Sequence, residues 1–521
     1  MKALSVLVVL FATVLALPMA SAAPASETLR ACRLGALRHE LLCGRLTRPL
    51  DPARPSGPTI ELHYAVIPAA ACSKHPDPVF VLAGGPGQSA VSLAGNMLAL
   101  LQRLNNRRDL VLIDQRGTGR SAPLVCESDE SLSLAERLDS ARAIQRLRAC
   151  RTRLQALPHG DLRFYTTTIA MADVDAVREA LGAPQINLVG ASYGTRAALE
   201  YLRLYPGRVR RAVLDGVAPP DMVLPVSMAT DVHHALEALF SDCEHDPACN
   251  RRRPDLRARW QGLLDSLPRE FSVADPASGE PTSITLTAET LGAAVRGPLY
   301  APALASALPF AIDEAAAGRA MPLFGLATSL GGGVRATRIA EGMHFSVVCA
   351  EDYPLWMLQK TQVPASNVFA QAFARPYAEL CRDWPRGAVE PAYYTIGPSA
   401  APVLVFSGGL DPVTPPRHGE RVTQALGARA RHVVVANAGH GVMSIGCARD
   451  VLQRFIDAST HAEALAVDVA CLAGLPRPPA FEPARAAAVL PAGAPRGSAS
   501  TPCTSALPCR HAAGGVSARR R

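Results

Sequence analysis

Six short runs of the chain are apolar without alternation, broken only by Asn187: VFVL from 79, LVLI from 110, INLV from 186, AVL from 212, VLVF from 403 and VVV from 433. Such runs predict strands covered on both faces, the pattern of a mostly parallel sheet rather than of hairpins with one wet side. Each ends in a glycine-rich or acidic loop, and helical periodicity fills the gaps. After the third run, Ala198, Leu199 and Leu202 recur on one helical face. Strands and helices therefore alternate in the βαβ manner from about 59 to 220. Residues 221–395 change character: Met228, Val232, Leu236, Leu239 and Phe240 share one helical face, and ARWQGLLDSL and ALASALPFAIDEAAAG continue the helical period. These stripes are read as the core of a helical insertion, because periodic hydrophobes pack. Strand pattern returns at 402. Beyond about 475 Pro, Ala, Gly, Ser and Arg dominate without period, which predicts a disordered tail over 476–521.

Candidate chemistry sits at the ends of these strands. The third runs into Gly190, Ala191, Ser192, Tyr193, Gly194 and then a helix. A serine in a sharp strand-to-helix turn needs small residues two positions to either side, and both positions hold glycine. The turn exposes the hydroxyl and places the Tyr193 N–H at a helix N-terminus, where it can stabilise an oxyanion. The fifth strand ends in a turn carrying Asp411, the sixth in a loop carrying His440. The order Ser192, Asp411, His440 is that of an α/β-hydrolase fold, with His440 as general base and Asp411 orienting its imidazole. Asp215, which ends the fourth strand, is the rival acid. Gly84, Gly85, Pro86 and Gly87 form a loop placed to supply the second oxyanion donor, with Gly85 the candidate. No lysine follows in Walker spacing, which excludes a phosphate cradle. Asp114, Arg116 and Ser121 in DQRGTGRS read as a structural turn.

GGPG, DQRGTGRS, GASYG and the late aspartate and histidine together resemble the prolyl-aminopeptidase family of serine exopeptidases, in particular its secreted tripeptidyl-aminopeptidase-like branch. The resemblance spans about residues 40 to 475. It implies a serine exopeptidase that cleaves peptides near a free N-terminus through an acyl-enzyme, without a cofactor. It also places a carboxylate that binds the substrate's α-amino group in VVCAEDYP, at Glu351 with Asp352 beside it. Prolyl aminopeptidases carry a histidine before the glycine loop where this chain has Ala83, which favours the tripeptidyl branch over strict proline specificity.

Composition narrows the setting. The 521 residues carry a formal charge of +8, but lysine stands only at Lys2, Lys74 and Lys360, and the arginines are interleaved with acids. No basic stripe with interleaved aromatics appears, so nucleic acid is not an expected partner. Lys2, the apolar run Leu4 to Leu17 and the small-residue site Ala20-Ser21-Ala22 predict a signal peptide over 1–22, too short to anchor in a membrane, and hence a secreted or periplasmic enzyme. Thirteen cysteines fit an oxidising compartment, and proximity and context pair Cys32 with Cys43, Cys126 with Cys150, Cys243 with Cys249, Cys349 with Cys381, and Cys447 with Cys471. A zinc site from Cys243, His245 and Cys249 is the rival to the third pair; no metal is expected, because no second ligand motif completes it. The reading is a hydrolase core over 23–220 and 396–475, split by a helical cap over 221–395. A carboxylesterase or lipase is the alternative, and a non-catalytic hydrolase-fold binding protein the weaker one.

Overall fold

The computed structural model describes residues 29–483 apart from 36, 38, 128–131, 276–277, 330–338 and 360–366; the expected signal peptide, most of the expected tail, Cys503 and Cys509 lie outside the described residues. Strands β1 (Arg30–Cys32), β2 (Leu41–Pro49), β3 (Thr59–Ile67), β4 (Val79–Leu82), β5 (Leu110–Ile113), β6 (Ile186–Ala191), β7 (Val209–Asp215), β10 (Val403–Gly408) and β11 (Ala430–Val435) form one sheet in the order β1-β2-β3-β5-β4-β6-β7-β10-β11. From β5 to β11 all pairs are parallel, and β1 to β3 join antiparallel at one edge. Every residue of β4, β5 and β10 is buried, which accounts for their unbroken apolar runs.

Helices cover both faces. On one face α1 (Ala94–Asn105) brings Leu101 and Leu104 into the core. On the other, α2 (Thr167–Ala180) brings Met171 and Val174, and α3 (Tyr193–Leu204) brings Ala197 and Tyr201. The insertion begins with α4 (Leu224–His245), whose predicted stripe Met228, Val232, Leu236, Leu239 and Phe240 lies in a separate apolar cluster with Trp260, Leu291 and Phe369. A two-stranded hairpin, β8 (Arg269–Ala274) and β9 (Pro281–Leu286), interrupts the helical pattern and donates Phe271 and Ile284 to that cluster. Next come α5 (Ala288–Leu299) and α6 (Leu308–Ala316).

The last part of the insertion behaves differently from the rest. α7 (Glu341–Glu351) and α8 (Arg375–Cys381) place Met343, Val347, Leu380 and Cys381 in the core cluster beside α2 and α3, not in the cap cluster. The chain thus returns to the core well before residue 395. It closes with α9 (Pro416–Leu426), on the α2 face, and α10 (Ala448–Asp457), on the α1 face.

All five cysteine pairs read from the sequence are disulfides, and Cys72 is a free, exposed thiol. Because Cys243 and Cys249 are bonded to each other, they are not zinc ligands. The bond between Cys349 and Cys381 joins α7 to α8 across 32 residues of chain. Closing a loop of that size restricts the unfolded ensemble by about 3–4 kcal/mol. The double variant Cys349→Ser/Cys381→Ser is therefore expected to lose up to that much stability in denaturant unfolding, and wild-type enzyme to lose a comparable amount at this bond on reduction.

Candidate active site

The turn between β6 and α3 holds Ser192 at φ 55°, ψ −124°, a strained conformation for a residue with a Cβ. The packing explains the flanking glycines. A Cβ on Gly190 would lie 2.4 Å from the Gly194 carbonyl oxygen, and one on Gly194 would lie 2.1 Å from that of Leu82. The turn is locked by its own helix, since the Ser192 carbonyl accepts from the Thr195 N–H at 2.8 Å and the Thr195 hydroxyl at 2.6 Å. The glycine loop after β4 passes directly over it: a Cβ on Gly84 would stand 3.3 Å from the Ser192 Cβ.

His440 and Asp411 meet. The His440 Nδ1 lies 2.8 Å from Asp411 Oδ2, which leaves Nε2 as the free ring nitrogen. Asp411 also accepts from the N–H groups of Val413 and Thr414, each at 2.9 Å, and from the Thr414 hydroxyl at 2.6 Å. Burial would push this carboxyl up, but the facing imidazole and the Thr414 hydroxyl outweigh it and hold the carboxyl below its usual range. Burial likewise opposes charge on His440, and Asp411 outweighs it, raising the imidazole above its ordinary value. The insertion supplies a third support: the Tyr300 carbonyl accepts the His440 N–H at 2.9 Å, and the Tyr300 ring stands edge-on to the imidazole with centroids 5.1 Å apart.

Asp215 has a different place from the acid it rivalled. Its carboxylate accepts from the Val442 N–H at 2.8 and 2.9 Å and from the Met443 N–H at 2.9 Å, while its main-chain carbonyl accepts the Ser192 N–H at 2.9 Å. One residue thus ties the serine turn to the histidine loop. Burial raises its pKa to about 6 against those N–H donors. In the neighbouring turn Asp114 accepts from Ser89, Val91 and Arg120, the buried Arg116 pairs with Asp173 at 2.7 Å, and the Ser121 hydroxyl accepts the His63 N–H at 2.8 Å. These three shape loops.

Glu351 and Asp352 lie inside the fold. Expected to face a substrate amine, they are 1% and 0% exposed and lie against α2 and α3. Asp352 receives a bidentate pair from Arg196 of α3, at 2.8 and 3.1 Å, and the Leu224 N–H at 2.8 Å. Glu351 accepts from the Thr167 N–H at 2.6 Å, the Thr167 hydroxyl at 3.0 Å and the Tyr393 hydroxyl. Thr167 in turn bonds the Tyr193 hydroxyl at 2.7 Å. The resemblance implies an amine anchor at this pair; in the fold Arg196, one turn beyond the serine, is the cation that faces it. At the other end of α7, His344 Nδ1 lies 3.1 Å from the Pro86 carbonyl and its Nε2 lies 2.7 Å from the Tyr377 hydroxyl. Burial lowers the His344 pKa, so the neutral ring donates to the glycine loop and accepts from Tyr377. Sequence reading missed Tyr300, His344, Arg196 and Thr414, whose contacts span the fold; the one local signal was Thr414, three residues after Asp411.

The electrostatics of Glu351 give a test. Burial raises its pKa to about 7, against Arg196, Tyr393 and Thr167. An acid raised in the folded state is protonated more readily folded than unfolded, so its contribution to stability is present at low pH and declines as pH rises from about 4.5 toward 7. Glu351→Gln is expected to flatten the fall of Tm across that window in thermal unfolding, because it removes the buried group that titrates there while keeping acceptors and donors beside Thr167 and Tyr393.

Residues 77–249 match the α/β hydrolase fold family and residues 366–471 match the TAP-like proteins. The chain is 26% identical over 424 residues to a protein named serine protease Hip1 of Mycobacterium tuberculosis, covering 74% of this chain and 79% of that one. It is 25% identical over 440 residues to the tripeptidyl aminopeptidase of Streptomyces lividans, covering 77% and 78%.

Proposed function

We propose that this chain, which belongs to the α/β hydrolases and carries a TAP-like C-terminal part, is a serine peptidase that releases short peptides or residues from free N-termini through the triad Ser192, His440 and Asp411. The observation that carries the reading is the hydrogen bond from His440 Nδ1 to Asp411 on the loop that Asp215 ties to the serine turn. His440 Nε2 takes the proton of the Ser192 hydroxyl as its oxygen attacks the scissile carbonyl, and returns it to the leaving amine as the tetrahedral adduct collapses. Asp411 holds the tautomer and stabilises the imidazolium. The Tyr193 and Gly85 N–H groups receive the oxyanion. Water then attacks the ester carbonyl as His440 takes its proton, and His440 returns that proton to the Ser192 oxygen as the acyl–oxygen bond breaks and the acid leaves.

The similarity to a tripeptidyl aminopeptidase supports N-terminal exopeptidase action, and five disulfides support export through a cleaved signal peptide to an oxidising compartment. Among the described residues no helix is long and apolar enough to cross a membrane. The second reading is a peptidase or esterase that ignores the amino terminus, and the engagement of Glu351 and Asp352 favours it.

A fluorophosphonate is expected to label Ser192, and Ser192→Ala to lose about 10⁴-fold or more in kcat/KM. Labelling elsewhere overturns the triad. On chromogenic tripeptides, N-acetylation is expected to reduce kcat/KM at least tenfold; equal rates on free and acetylated substrates replace the exopeptidase reading with the second one.

A further inference from the structure

The insertion brings one cation close to the proposed triad that has no carboxylate partner among the described residues. Arg296 lies on the last turn of α5, four residues before Tyr300. Its guanidinium sits 4.9 Å from the Phe373 ring centroid and 5.8 Å from that of Tyr300, the ring that stands against His440. Its Nε is buried and meets no acceptor among the described residues. The Tyr300 phenol is a polar neighbour of the guanidinium. Its field also reaches His344 and Tyr377, the pair that holds the glycine loop from the opposite side. Arg296 therefore stands one aromatic ring away from His440.

The contrast with the other arginines in the fold is informative. Arg116, Arg178 and Arg196 are buried and each meets an aspartate with two nitrogens. Arg296 is only partly buried, and two aromatic rings lie within 6 Å of its guanidinium in place of a carboxylate. Aromatic stacking holds a guanidinium plane in place without consuming its N–H donors, and those donors match a carboxylate bidentately. Meanwhile the two acids that would draw a substrate cation are paired inward.

We infer that Arg296 is a specificity residue that takes a carboxylate of the substrate, from an acidic side chain beside the scissile bond or from a peptide C-terminus. The inference rests on the proposed triad, since it is Tyr300, packed against both His440 and Arg296, that relates Arg296 to the reacting groups. It makes the preferred substrates short or acidic peptides.

The test is competition against hydrolysis of a small neutral ester, which does not require that any peptide be cut. Three competitors with free N-termini are compared: Ala-Ala-Gln amide as the neutral reference, Ala-Ala-Glu amide for the side-chain source, and Ala-Ala-Gln acid for the terminal source. In wild type at least one acid is expected to show an inhibition constant tenfold or more below that of the reference, with the difference shrinking as salt is raised. Arg296→Gln is expected to bring the constants together, and Arg296→Lys, which keeps the charge but not the fork, to retain part of the difference. Wild type that does not separate the acids from the amide overturns the inference, as does Arg296→Gln that still separates them. Cleavage of the same peptides is scored apart, so failure of the peptidase reading and failure of the Arg296 assignment give different results.

Discussion

The end of β7 is the point on which the site depends. Nucleophilic catalysis by a serine needs its hydroxyl and the base within hydrogen-bond reach, yet Ser192 and His440 belong to loops about 250 residues apart in the chain. Asp215 joins them with main chain on one side and side chain on the other, its carbonyl taking the Ser192 N–H and its carboxylate the N–H groups of Val442 and Met443. A buried carboxylate that accepts from two main-chain N–H groups is costly to displace, because removing it leaves backbone donors unsatisfied in the interior. The parallel register places β6, β7 and β10 side by side so that their C-terminal ends deliver Ser192, Asp215 and the Asp411 turn to one edge.

The insertion is part of this frame and not only a roof over it. Tyr300 holds the His440 main chain and ring from above. α7 crosses behind the serine turn: His344 steadies the glycine loop at Pro86, and Glu351 and Asp352 grip α2 and α3 through Thr167 and Arg196. Both proposed oxyanion donors, Gly85 and Tyr193, therefore stand on segments braced by one helix. The disulfide from Cys349 to Cys381 pins that helix in turn. Arg196 and Asp352 are each fully buried, so the pair's value lies in orientation: losing either partner would strand a charge in the core.

What the sequence made legible was local. The serine turn was readable because close chain passage demands glycine at two fixed positions, and the central strands because burial on both faces removes alternation. The disulfides followed from spacing. The hairpin of β8 and β9 was missed, since two six-residue strands carry too few positions to stand out from helical neighbours. The amine-anchor role of Glu351 and Asp352 came from the family resemblance, and nothing in VVCAEDYP reveals that Arg196, some 155 positions earlier, faces them. For the same reason Asp215 looked like a rival acid: a carboxylate at a strand end is the right residue for either task, and only the tertiary register of the loop at 442–443 separates them.

The most direct test of this account is Asp215→Asn. The amide keeps one acceptor but turns an NH2 toward backbone donors, so the histidine loop loses its tether while Asp411 still faces His440. Fluorophosphonate labelling of Ser192 and ester hydrolysis are expected to slow together by about 100-fold, as misplacement of a catalytic group does, in a protein that keeps its far-UV circular dichroism and its five disulfides. A variant equally well folded that labels at the wild-type rate would contradict the claim that Asp215 holds the serine and the histidine in one frame.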